Sequence, residues 1–122
     1  GGWAGDANNA FTKSGRTVSQ NEYFDYTKKL LNWRKTNEAV HSGKTLHYIP
    51  NNNVYVYFRY TDSKRVMVVI NNNKETQNLD LKRFSEGLKD FTKGKDIISD
   101  KDFDLKTNLS VPAKSSLILE LK

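Results

Sequence analysis

The residues best suited to chemistry are a run of alternating carboxylates, two histidines, and an aromatic pair beside an arginine. Asp100-Lys101-Asp102-Phe103-Asp104 has the D-x-D-x-D spacing of a calcium loop, where alternate carboxylates converge on one hard cation. The match ends there. A calcium-binding helix–loop–helix needs Gly at its sixth position and Glu at its twelfth, and these positions hold Leu105 and Val111, so the run reads as a charged hairpin turn. His41 and His47 have no cysteine to join them and no H-x-x-x-H spacing, and read as surface or strand residues, giving no metal site. No G-x-S-x-G elbow occurs. The glycines of Gly1-Gly2-Trp3-Ala4-Gly5-Asp6 do not lead directly into a helix, so they do not form a phosphate cradle. Glycoside hydrolysis needs two carboxyl groups held ~5 Å or ~6.5–9.5 Å apart, and no pair here is set at such a distance by spacing alone. Tyr55, Tyr57 and Arg59 alternate along one stretch, so a strand would place them on one face, suited to stacking on a sugar or base or to packing on a neighbouring domain.

That strand is half of the stretch around which the rest is organised. Val54–Thr61 and Val66–Ile70 are rich in β-branched and aromatic residues and are joined by polar Asp62-Ser63-Lys64-Arg65, which predicts a β-hairpin. Period two puts Val54, Val56, Phe58 and Tyr60 on a core face, opposite Tyr55, Tyr57, Arg59 and Thr61. The second run is apolar on both sides, as for a central strand. Upstream, residues 1–15 form an irregular loop bearing Trp3 and Phe11. Ser19-Gln20-Asn21-Glu22 predicts a capping box opening a helix that ends near Asn37, with 38–43 a connector. Tyr23, Phe24, Tyr26, Leu30, Leu31 and Trp33 give that helix an apolar stripe, expected either to fold back or, in preference, to pair with a second copy of the chain. The period changes at Lys44, which places a domain boundary between 1–43 and 44–122. Strands are expected over 44–49, 76–81, 109–111 and 115–121, a hairpin over 95–99 and 103–105, and a helical turn within 80–87. Short antiparallel strands at this spacing imply a β-sandwich.

A chain of 122 residues can bury a core without staples, and it has no cysteine. Net charge is +6, of which +2 falls over 1–43 and +4 over 44–122, with acids interleaved throughout. No dense basic run points to nucleic acid, and no apolar run reaches the ~20 residues of a membrane span. The chain opens on Gly-Gly-Trp, which suggests a piece of something longer.

Gly1-Gly2-Trp3-Ala4-Gly5-Asp6-Ala7-Asn8-Asn9-Ala10-Phe11-Thr12, followed by a helix ending Leu30-Leu31-Asn32-Trp33-Arg34-Lys35, resembles the end of the catalytic domain in the α-amylase family, glycoside hydrolase family thirteen. Val54–Arg59, Val66–Asn72 and Val111-Pro112-Ala113-Lys114-Ser115-Ser116-Leu117 are similar to the C-terminal sandwich of those enzymes, in the neopullulanase and cyclomaltodextrinase type of starch-using Bacteroides-like bacteria. The resemblance implies a mainly β fold: an antiparallel β-sandwich of Greek-key type, preceded by one α-helix left over from a (β/α)₈ barrel. It implies that the family's three catalytic acids lie upstream of Gly1, so the chain is structural and inactive by itself. It implies a parent that hydrolyses starch or maltooligosaccharides with retention and meets α-glucan through a barrel in cis. Trp3 and Asp6 are the implied candidates for sugar contact, with packing of the loop itself as their alternative role. No cofactor is implied for this segment, calcium is admitted for the parent, and the implied location is periplasmic or secreted. Two other classes share some features: a carbohydrate-binding module stacking sugars on Tyr55, Tyr57 or Trp33, and a basic nucleic-acid-binding β domain.

Overall fold

The computed structural model describes residues 2–3 and 5–122. They divide into two compact units, the first ending at Trp33 and the second running Arg34–Lys122. The division falls ahead of Gly43 because residues 38–41 pack on the sheet that follows.

The helix α1, Val18–Thr36, most of it in the first unit, begins one residue before the expected box. Thr17 Oγ1 accepts from Gln20 N (3.2 Å) and Gln20 Oε1 accepts from Thr17 N (2.9 Å). Thr17-Val18-Ser19-Gln20 is itself a T-x-x-Q box, and it displaces the Ser19–Glu22 pair. The preceding loop is tied to this end of the helix: Arg16 donates to Ala10 O and Asn21 Oδ1, and its guanidinium lies 3.9 Å from the Phe24 ring centroid.

The second unit is an antiparallel β-sandwich. β1 (Lys44–His47), β2 (Val54–Tyr60) and β3 (Arg65–Asn71) form a meander, and β8 (Ser115–Leu121) returns beside β3. β5 (Lys93–Asp96) and β6 (Asp102–Asp104) complete a six-stranded sheet in the order β1-β2-β3-β8-β5-β6. β4 (Gln77–Asp80) and β7 (Asn108–Val111) make a second, two-stranded sheet. The expected strand over 95–99 ends early. Buried Asp96 accepts from Ser99 N and Oγ through Oδ2 and from Ile118 N through Oδ1, which turns the chain after β5.

Val54, Val56 and Phe58 are buried, as their alternation requires. Phe58 pairs with Met67 and Val56 with Val69, so these five share the core face, where Leu117, Leu119 and Leu121 of β8 extend it. Leu109 and Val111 of β7 close the core from the other sheet, with Leu81, Phe84 and Leu88 of the segment between β4 and β5. That segment is a 3-10 turn, Leu81–Phe84, running into a helical turn, α3 (Ser85–Leu88). Gly87 sits against the core ring: a Cβ there would lie 2.2 Å from Phe58 Cε2. Arg65, expected in the turn, is the first residue of β3 and is buried, its guanidinium donating to Glu86 O and Gly87 O and lying 4.7 Å from the Tyr60 ring centroid.

The two Asn triplets meet at one end of the sandwich. Asn52 and Asn53, at φ 48° and 53°, form the two-residue turn that joins the β1 and β2 arms. Asn73 Nδ2 donates to Asn52 O (2.7 Å) and Asn72 N to Asn53 O (3.0 Å), which locks that turn to the end of β3.

Candidate functional surface

Trp3 and Asp6, the residues singled out for sugar contact, share one turn. Asp6 Oδ2 accepts from Gly2 N (2.8 Å) and Trp3 N (3.0 Å), and Asp6 N donates to Trp3 O (3.1 Å). One carboxylate oxygen is therefore committed to shaping the loop. The indole of Trp3 is 86% exposed, and Asp6 borders a shallow hollow with Asn8 and Gln20.

Tyr55, Tyr57 and Arg59 share the second face of the large sheet with Val66, Val68 and Ile70, as the β2–β3 register dictates. Part of that face is covered from within the second unit. Residues 38–43, expected as a connector, contain a short helix, α2 (Glu38–His41), whose Ala39 is fully buried and which packs on β2 and β3. Arg59 holds it there: Nε donates to Ala39 O (3.3 Å), Nη2 to Val40 O (3.0 Å), and Nη1 to Thr45 Oγ1. A guanidinium spent on a helix C-terminus is not a ligand contact. Gly43 follows because a Cβ there would lie 2.3 Å from Ala39 O and 2.6 Å from Tyr60 O.

Beyond α2 the half-buried rings of Tyr55 and Tyr57 lie 5.5 Å apart, and His47 meets Tyr55 edge-on at 6.4 Å. The two tyrosine planes are tilted by 34°, so they do not make one flat stacking platform. Ile70, 41% exposed, shares this face. Burial pushes the Tyr57 phenol above its ordinary pKa, Tyr55 adds to the shift, and Arg59 works against it.

The alternating carboxylates turn to separate lysines. Asp100 pairs with Lys95 (3.7 Å), Asp102 with Lys122 (3.7 Å) and Asp104 with Lys106 (3.8 Å). His41 ends α2 and His47 lies on β1. A cleft of about 280 Å³, lined in part by Asn51, Gln77 and Asn78, carried no sequence signal, because a turn residue and an edge strand meet there only through the fold.

A family model described as the cyclo-malto-dextrinase C-terminal domain matches residues 45–120. Among solved structures, the α-amylase GTA of Geobacillus thermoleovorans, complexed with acarbose, superposes with a TM-score of 0.71 at 19% identity, over 83% of this chain and 23% of that one. A mutant of AmyP in complex with maltotriose gives 0.73 at 15% identity, over 87% and 22%. An isomaltulose synthase mutant from Erwinia rhapontici NX5, in complex with D-glucose, gives 0.65 at 24% identity, over 91% and 20%. At these identities the likeness establishes the fold, and the chain spans 20–23% of the length of those proteins. With the strands, from Lys44 to Leu121, spanning the matched range, the chain belongs to the family of cyclo-malto-dextrinase C-terminal domains.

Proposed function

We propose that this chain is the C-terminal part of an α-glucan-degrading glycoside hydrolase of the neopullulanase or cyclomaltodextrinase type, acting on starch or maltooligosaccharides with retention. In this reading residues 1–43 close a (β/α)₈ catalytic barrel and 44–122 form the sandwich appended to it. The observation that carries it is the family match over residues 45–120. Trp3 and Asp6 would then sit in a barrel-end loop, where active sites of that architecture are built, with the exposed indole as a sugar contact. The barrel in cis would cover the apolar side chains of α1, among them Tyr23, Phe24 and Leu31, which are exposed. In the isolated chain a second copy takes that place.

The role of the chain is structural. A retaining glycosidase needs a nucleophilic carboxylate and an acid/base carboxyl about 5 Å apart across the scissile bond. Here Asp100, Asp102 and Asp104 face lysines and Asp96 is occupied by three donors. The purified 122-residue chain is expected to release no reducing sugar from starch, pullulan or cyclodextrin. Turnover above buffer background would overturn the assignment of the catalytic acids to a missing barrel.

A further inference from the structure

The cleft between the β1–β2 turn and β4 has the chemistry of a saccharide site. Its floor is apolar, made by Val54, Val56 and Leu79. Its rim carries the side-chain amides of Asn51, Gln77 and Asn78, none of which hydrogen-bonds to another described residue, and the Asp80 carboxylate, of which only Oδ1 is engaged, by Lys82 N (2.9 Å). An amide offers a donor and an acceptor in one plane, which suits a vicinal diol whose hydroxyls each do both. The apolar floor suits the C–H face of a pyranose.

The walls are fixed before any ligand arrives. Arg83 Nη2 donates to Ile49 O (2.7 Å), and Asn51 and Val54 exchange backbone hydrogen bonds (3.1 and 2.9 Å). The Tyr48 ring meets Phe84 edge-on at 5.0 Å, and its hydroxyl accepts from Gly87 N (3.0 Å). The backbone around the cleft is thus held before binding, and only the side-chain amides of Asn51, Gln77 and Asn78 lose rotamer freedom to a ligand. Charge also selects. Asp80 and Arg83, the charged residues of the lining, carry opposite signs, so the cleft has no net charge to recruit an ion, which suits a neutral polyol. At about 280 Å³ the cleft is near the small end of ligand pockets, room for one or two sugar rings.

We infer that this cleft binds one or two glucosyl units of an α-glucan. The identity of the sugar rests on the proposed function; the existence of a neutral polyol site rests on the cleft.

The test is a ¹H–¹⁵N titration of the 122-residue chain with maltotriose, with cellotriose as the comparison. Saturable shifts are expected in the side-chain amides of Asn51, Gln77 and Asn78 and in backbone amides of 49–52 and 77–80, half-complete at roughly 1 mM. Asn78→Ala, at an exposed position, should weaken binding about tenfold or more, as loss of a bidentate amide contact would. Asn108→Ala, on β7 of the same small sheet, should leave it unchanged. Absence of saturable shifts up to ~50 mM or shifts mapping elsewhere would overturn the site, and equal shifts with cellotriose would overturn its assignment to an α-glucan. If the whole protein cleaves maltodextrin while the chain shows no titration, the cleft is refuted and the proposed function stands. Titration by a chain whose parent cleaves no α-glucan would uphold the cleft and refute the enzymatic reading.

Discussion

Phe58→Ala is expected to destabilise the sandwich by about 3–5 kcal/mol, the range for truncating a buried phenylalanine. Phe58 is fully buried on the central β2–β3 pair, and Tyr48 meets its ring edge-on at 6.0 Å. The gap would not close easily, because the ring also fills the space that Gly87 leaves vacant by lacking a Cβ. The backbone on that side is held in place by Arg65, which donates to Gly87 O. Lost transfer energy and a persistent cavity therefore add. Urea unfolding followed by the amide resonances of β2 and β3 measures the effect, and a loss below ~1 kcal/mol would mean that the core face is misassigned.

Asn71→Ala is expected to cost about 2–4 kcal/mol, since several buried groups lose partners at ~1–3 kcal/mol each. Asn71 is 1% exposed. Its Nδ2 lies within hydrogen-bond distance of Glu75 O (3.0 Å), Val111 O (3.1 Å) and Pro112 O (2.9 Å), two N–H bonds shared among three carbonyls. Oδ1 accepts from Asn73 N (2.9 Å) and Asn73 Nδ2 (2.8 Å). One side chain thus joins the end of β3 to β7 and, through Asn73, to the β1–β2 turn. Asn71→Asp should be at least as damaging, because a carboxylate keeps the acceptors and sets a buried charge against the carbonyls. Thermal unfolding of both variants checks the order, and an aspartate variant as stable as the parent chain would refute the donor role.

The legible parts of this fold were those where side-chain type and spacing determine structure locally. The alternation Val54-Val56-Phe58 gave both the strand and its core face. Where local signals compete, the reading slipped by a residue or two: Thr17–Gln20 and Ser19–Glu22 both satisfy a capping box, and the geometry chose the first. Features formed by distant residues were hidden. The helix α2 exists because Arg59 on β2 caps its carbonyls and Ala39 finds a buried position on the sheet, neither of which a four-residue window contains. The mutual bonding of the asparagines at 51–53 and 71–73 likewise needs the register of β2 with β3. For Trp3 and Asp6 the sequence supplied the residues and the structure supplied the turn that joins them.

The most direct test of the central claim, that this sandwich belongs to a retaining α-glucan hydrolase, is the configuration of the first sugar released by the whole protein that carries it. With maltooligosaccharide as substrate and the anomeric protons followed by NMR from the earliest turnover, the expected product is the α-anomer, since double displacement through a covalent glycosyl intermediate restores the starting configuration. Initial release of the β-anomer, or no cleavage of any α-glucan, would contradict the account.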